Sequence, residues 1–236
     1  AQITCRDHPG NLESVGRRLR YAALADLAAQ NRCPYVATAH HADDQLETML
    51  MRLARGAGPT GLAGIPPRRR LTSQVQLIRP MLALSREDCQ KLCIDAGWNW
   101  QEDATNSDVT RVRAALRATV IPALKSIRPD IASRAPDAVA LQRSAAKVIT
   151  ASANALWTQA TISESTATWP RELLAATPPI ILGELLRIAH RHFAGTVRLD
   201  HVSSKSVQPI IRAIRGSGGQ ERGWTIGRLT IQLTRG

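Results

Sequence analysis

Tyr35 to Thr48 reads YVATAHHADDQLET. The apolar run YVATA follows a helix-breaking stretch, Asn31-Arg32-Cys33-Pro34, and predicts a short buried strand over 35–39. Beyond His40–Asp44, the residues Leu46, Met49, Leu50 and Leu53 recur with helical spacing, which predicts a helix over 42–55 ended by Gly56. Upstream, a turn signal at Gly10-Asn11 leads into Leu12, Val15, Leu19, Ala22, Ala23 and Leu27, a second helical stripe that runs to about Ala29. Helix, buried strand, helix is an α/β pattern, and such strands pair in parallel. YVATA is therefore expected at or near the centre of a parallel sheet, with the 42–55 helix packed on it.

Beyond this helix, residues 56–67 (GAGPTGLAGIPP) form a Gly/Pro-rich loop and Val75–Ile78 a further strand. Ser85 with Asp88 three positions on resembles a capping box, opening a helix that Gly97 closes. Trp98–Trp100 reads as extended, Asp103–Asp108 as polar loop and Arg111–Ser126 as a basic helix ending before Pro129. From Pro129 to Gly195 the chain is rich in Ala, Leu, Ile and Arg with helical periodicity. Trp224, Ile226, Leu229, Ile231 and Leu233 then alternate about Gly227-Arg228 as a hairpin. The expected organisation is an α/β domain over 1–128 and a mainly helical domain over 129–236 with a short C-terminal hairpin.

A chain of 236 residues with 44% hydrophobic side chains can bury a sizeable core in one or two domains. No apolar run approaches the ~18 residues of a membrane helix, so a soluble protein with no membrane partner is expected. The net charge of +12 and pI of about 10.9 favour a polyanionic partner, most simply a nucleic acid, over a merely solvated basic surface. With aromatics at only 3%, recognition of shape and phosphate is expected rather than base stacking, and the five tryptophans read mostly as core. Cys5, Cys33, Cys89 and Cys93 show no CxxC and no Cys/His ligand run, so no metal site is read from them. Cys89 and Cys93, four apart on a helix, are expected near its buried face and reduced, as in a cytoplasmic protein.

The densest polar cluster is Ala39–Thr48. It leaves the carboxyl end of a strand and enters a helix, where open α/β sheets bind ligands. Asp43 and Glu47 stand four apart and Asp44 and Glu47 three apart, so one helix face can present carboxylates to a cation, either Mg²⁺ or a substrate ammonium. An alternative reading makes Asp43 and Asp44 complements of the helix dipole, and a His/Asp metal-hydrolase site would need further ligands among His190, His192 and His201.

VATAHHADDQLETMLMRLARG followed by GLAGIPP resembles the tRNA(Ile)-lysidine synthetase family of PP-loop ATP pyrophosphatases. GNLESVGRRLRY (Gly10–Tyr21), IRPMLAL (Ile78–Leu84) and DATNSDVTRVRAALRATVIPAL (Asp103–Leu124) resemble its other segments in the same order. The resemblance is strong from Gly10 to about Arg128 and weak beyond. It implies a Rossmann-like parallel sheet of the adenine nucleotide alpha hydrolase type. The family's SGGxDS loop is absent from this sequence and belongs on the first strand, so the resemblance implies a domain lacking its first βα units, roughly 60 residues or more. Ala114 and Ala115 also stand where the family usually carries Asn and Arg, although Arg113 and Arg117 match.

The implied activity is a two-step ligase reaction. ATP, with Mg²⁺, adenylates the wobble cytidine of a CAU-anticodon tRNA(Ile), and L-lysine then displaces AMP to leave lysidine. By motif position His40, His41 and Asp43 would be catalytic and Asp44 and Glu47 would hold lysine. Arg17 and Arg20 would lie toward ATP, or form a solvated basic face with Arg18. Arg111, Arg113, Arg117 and Arg128 would contact tRNA phosphates, in a run (residues 111–134) where six basic residues face the single acid Asp130. A homodimer is compatible with this reading. The competing readings are a tRNA thiolase of the same superfamily, whose two-thiocytidine branch needs CxxC cysteines, and a non-catalytic tRNA-binding remnant.

Overall fold

The computed structural model describes residues 12–99, 112–194, 202, 204–216 and 221–234. They fall into two compact units, one made of residues 1–51 and 64–139 and the other of 52–63 and 140–236. The compositional change at Pro129 lies just ahead of helix α7 (Ile131–Trp157), and the residue ranges of the two units meet inside that helix.

In the first unit, α1 (Leu12–Gln30) leads to β1 (Tyr35–Ala37) and then to α2 (Ala42–Ala54). After the four-residue α3 (Pro59–Leu62), β2 (Arg68–Arg70) and β3 (Gln76–Ile78) complete a sheet of order β1-β3-β2. β1 pairs parallel with β3, Val36 opposite Leu77, and β2 runs antiparallel to β3, Arg69 opposite Leu77. Val36, Val75 and Leu77 pack with Ala28 of α1, joined by Tyr21, Leu24 and Leu71. The buried stripe of α1 thus runs through Val15, Ala25 and Ala28, whereas Ala22 and Leu27 are exposed.

Two strand expectations need correction. Among the described residues β1 is an edge strand and β3 the central one, and β1 is regular over three residues rather than five. Only Val36 is buried. Tyr35, 54% exposed, and Ala37 point to the opposite face by strand alternation, and no described element covers them. β2 was not foreseen, because an edge strand of three exposed arginines carries no hydrophobic alternation. Its pairing is through the backbone, and charge on an exposed edge discourages pairing with another chain.

Three helices end on the same device. After α1, Cys33 N–H reaches Ala28 O and Arg32 N–H reaches Ala29 O; the same pair of bonds recurs at Ala57/Gly56 after α2. Trp98/Gly97 repeat it after α4 (Arg86–Asp95). Each is a Schellman closure with a left-handed residue at its hinge: Gly56 at φ 71°, Gly97 at φ 66° and, unusually, Arg32 at φ 54°. The foreseen capping box of α4 is present, with Ser85 Oγ accepting from Asp88 N–H and the Asp88 carboxylate accepting from Ser85 N–H. Cys89 and Cys93 on α4 are only half-buried, and Trp98 is 69% exposed, so that tryptophan is not core.

The basic helix is one continuous run of α5 (Val112–Ala115), a π turn (Leu116–Val120) and α6 (Ile121–Ile127). Its Ile121 packs with Leu46 of α2 and with Ala132 and Ala135 of α7.

The second unit is mainly helical. The latter part of α7 is followed by a small hairpin, β4 (Thr161–Ile162) with β5 (Ala167–Thr168). Next come α8 (Arg171–Ala176), α9 (Pro179–Ala194) and α10 (Ser204–Arg215). The foreseen terminal hairpin is β6 (Arg222–Ile226) with β7 (Leu229–Leu233), Trp224 opposite Ile231 and Ile226 opposite Leu229. Gly227, at φ 60°, takes the left-handed first position of its two-residue turn. The core joins Leu156, Leu182, Leu185, Val207, Ile210, Ile211, Ile214 and Ile226, with Trp157, Trp169 and Trp224 packed against it. Arg171 donates to the carbonyls of Ala213, Ile214 and Gly216, satisfying the C-terminal end of α10.

Candidate active site

The site forms where β1 ends and α2 begins. Thr38 Oγ1 lies 3.0 Å from His40 Nδ1, and Thr38 N–H continues the sheet to Ile78 O. His41 is the N-cap position of α2, and the Asp44 carboxylate reaches back to its N–H at 3.0 Å. Ala42 N–H is taken by Leu84 O at 2.8 Å. Asp43 turns to α4, accepting the N–H of Arg86 at 2.8 Å. The His41 ring stands between these two acids, 3.6 Å from Asp43 and 3.7 Å from Asp44.

The helix 112–127 supplies the opposing charge. Arg117 bonds Glu47 through Nε and stands 3.5 Å from Asp44; Arg113 Nε lies 3.2 Å from Glu47 Oε2 and Arg113 Nη2 3.5 Å from Thr48 Oγ1. Lys125 Nζ lies 3.3 Å from Asp43 and 2.8 Å from Glu87. Contacts therefore descend α2 from Glu47 to Asp43 as the basic helix ascends from Arg113 to Lys125, so the two helices lie antiparallel. Residues 113, 117, 121 and 125 all meet α2, a spacing of four. An uninterrupted α-helix would turn Lys125 about 120° away from the Arg113 face over twelve residues. The π turn takes up one extra residue and removes about 100° of that drift. It keeps the row of cations in phase with the row of acids.

Glu47 is the most buried member, 2% exposed. Burial pushes its carboxyl above the usual range against the pull of Arg117. Its Oε2, Arg113 Nε and His41 Nδ1 are buried with no hydrogen-bond partner among the described residues, so the 3.2 Å approach of Arg113 is an ion pair off the hydrogen-bonding line. His40 is held below the ordinary imidazole value, first by burial and then by Arg79, Arg17 and Arg113 acting against Asp44, and is neutral at pH 7. Burial draws Lys125 down, but Glu87 and Asp43 more than restore it.

The structure thus brings together His40, His41, Asp43, Asp44 and Glu47 as one cluster. It sets Arg113 and Arg117 against its carboxylates, half-buried, their charge directed at this chain's own acids. Arg128 is exposed and bonds Asp130 at 2.8 Å. Arg17 and Arg20 are exposed on α1, Arg17 beside Tyr21. Arg111 lies outside the described residues, as do Cys5, Trp100 and the 103–108 loop. Sequence reasoning missed Lys125 as a partner of Asp43. It also missed Gln45, whose buried amide bonds both the N–H and the C=O of Ile65, at 2.7 and 2.9 Å, and so fixes the end of the 56–67 loop. A buried glutamine at the helix face beside leucines is the signal that could have found it.

The PP-loop domain family matches residues 1–124, and the chain belongs to that family. Among curated relatives it is similar to the tRNA(Ile)-lysidine synthase of Salinispora arenicola, 33% identical over 92% of this chain and 65% of the relative. It is also similar to that of Salinispora tropica, 34% identical over the same shares, and to that of Geobacter sulfurreducens, 42% identical over 52% of this chain and 26% of the relative. The chain thus spans less than two thirds of the length of these relatives. No helix among the described residues is long and apolar enough to cross a membrane.

Proposed function

We propose that this chain carries the lysine-binding and proton-handling part of a tRNA(Ile)-lysidine synthase, a ligase that converts the wobble cytidine of CAU-anticodon tRNA(Ile) to lysidine with ATP and L-lysine in the cytoplasm. The observation that carries the reading is the buried Glu47 Oε2, an acceptor without a donor at the mouth of α2 beside Asp44. A lysine ammonium supplies the missing donor. In the first step the cytidine C2 oxygen attacks the α-phosphorus of ATP and pyrophosphate leaves. In the second the lysine ε-amine attacks C2, the C2–O bond breaks, and AMP leaves with that oxygen. The amine must shed a proton, and the neutral His40, held by Thr38, is the base the site offers, with His41 oriented by Asp43 and Asp44.

Mg²⁺ enters this scheme as the counter-ion of ATP, part of the substrate. Among the described residues no three His, Cys, Asp or Glu side chains converge to hold a metal, and Asp43, Asp44 and Glu47 each face a cation. Residues 1–128 carry the chemistry in this reading, and 129–236, with the exposed Arg128 and with Arg111, offer surface to the tRNA. Arg113 and Arg117 act chiefly as positioning residues for Glu47 and Asp44. The names of the relatives favour this over a thiolase.

The test separates the two steps. The chain, alone and as a chimera with an SGGxDS-bearing βα segment ahead of residue 1, is given ATP, labelled lysine and a CAU-anticodon tRNA. Asp44→Asn and Glu47→Gln are expected to abolish lysine transfer while pyrophosphate release survives. Equal loss of both steps would make the carboxylates scaffold, and unchanged transfer would refute the site.

A further inference from the structure

A second cluster in the first unit has the opposite sign. Arg79, at the end of β3, is only 4% exposed; its Nη1 donates to Pro66 O at 2.6 Å, and its Nε is buried without an acceptor. It lies within electrostatic reach of the Tyr21 hydroxyl and of two more guanidinium groups, Arg69 and Arg17. Arg69 lies over the Tyr21 ring with Cζ 4.8 Å from the centroid, and Arg17, one helical turn before Tyr21, approaches the same ring at 5.6 Å. Among the described residues no carboxylate faces any of the three. On β2 the neighbouring Arg70 is tied to the carbonyls of Thr72 and Ser73, so Arg69 is the arginine of that strand turned to the cluster.

Three like charges around one phenol repel one another, and burying one of them in addition is unfavourable unless a counter-charge joins them. The donors present, three planar guanidinium groups and a hydroxyl, match an oxyanion that takes several hydrogen bonds and two negative charges at once. A single carboxylate would cancel only one of the three charges, where a phosphate dianion cancels two. We propose that Arg17, Tyr21, Arg69 and Arg79 form a binding site for a phosphate group, entered past the exposed Arg17 and Arg69 with the buried Arg79 at its floor. The Tyr21 hydroxyl titrates below a tyrosine's usual range because Arg17 and Arg79 outweigh the effect of burial, and His40 lies in the field of the same two arginines. An anion bound here would thus sit within electrostatic reach of the strand end. The inference stands on this cluster alone and does not require the lysine-binding assignment.

The phosphate could be the tail of a nucleotide or a phosphate of an RNA backbone, and the experiment has an arm for each. The chain has two tyrosines, so in a Tyr35→Phe background the phenolate absorbance reports Tyr21 alone. Inorganic pyrophosphate, or separately a tRNA transcript, is expected to raise the Tyr21 titration toward its ordinary value by neutralising the arginines. Calorimetry with the same two probes is expected to show binding weakened about tenfold by either Arg17→Gln or Arg69→Gln. Both arginines are exposed and far-ultraviolet dichroism checks that the variants fold. Saturable pyrophosphate binding lost in the variants supports the site with a nucleotide tail as its ligand. Weak pyrophosphate binding with variant-sensitive RNA binding supports it with a backbone phosphate. An unmoved Tyr21 titration with both probes, or equal binding by wild type and variants, overturns it.

Discussion

The Asp43 carboxylate accepts the backbone N–H of Arg86, the first residue of α4, at 2.8 Å across 43 residues of sequence. One acid therefore opens α2 and ties down the start of α4. It also faces Lys125 and His41, so a role in chemistry and a role in folding meet in the same side chain.

Those roles separate by substitution. Asp43→Ala removes the acceptor and is expected to cost about 1–2 kcal/mol, as loss of a helix cap does. Asp43→Asn keeps an acceptor oxygen and is expected to retain most of that stability while losing the charge toward Lys125 and His41. Urea denaturation of both variants reads the difference; equal destabilisation would mean that charge, not the bond to Arg86, holds α4.

Arg117 is the strongest influence lowering the Glu47 carboxyl against burial. Arg117→Gln is expected to move the Glu47 titration further up, read from its side-chain carbon by NMR. The sign for stability follows. A carboxyl raised in the fold binds its proton more readily there than in the unfolded chain, so its contribution is fully present below the unfolded value of 4.5 and is lost as pH rises through the folded value. Removing Arg117 should widen that window toward neutral pH. A Glu47 titration that falls or stays put in the variant would show that Arg117 does not govern it.

Gly64 is left-handed at φ 63°, and an added Cβ would stand 2.5 Å from Gln45 Oε1 and 2.6 Å from Val139 Cγ1. Gly64→Ala is expected to cost about 2–4 kcal/mol, combining left-handed strain with overpacking. It should also loosen the Gln45 clamp on Ile65, read as faster amide exchange at Ile65; unchanged or slower exchange with native stability would contradict the crowding.

Arg32 occupies the left-handed hinge that glycine fills after α2 and α4. Arg32→Gly is expected to stabilise the chain by about 1 kcal/mol by relieving the Cβ clash at positive φ. A thermal melt that is unchanged or lower would show that the Arg32 side chain makes up for its strained backbone.

Elements whose signals are local were legible. The Ser85/Asp88 box, the glycines ending α2 and α4 and the Trp224–Leu233 alternation each act within a few residues, and each lies where the spacing placed it. The acid cluster was legible as a cluster for the same reason, since α2 alone brings Asp43, Asp44 and Glu47 near one face. What faces it was not. Nothing in the spacing of Arg113, Arg117 and Lys125 says that they meet α2 rather than solvent, because in an ideal helix Lys125 would stand about 120° from the Arg113 face. β2 was hidden because its pairing is all backbone, and the edge position of β1 because it depends on which strands lie beside it.

The π turn at Leu116–Val120 has a consequence for how this helix can vary. Substitutions there alter local contacts and leave the rest in place. Deleting one residue would let the segment relax to ordinary α-geometry, and everything after it would swing round by about 100°. Ile121 would leave Leu46 and Lys125 would leave Asp43, although neither residue had been touched. The segment should therefore accept changes of composition readily and changes of length hardly at all.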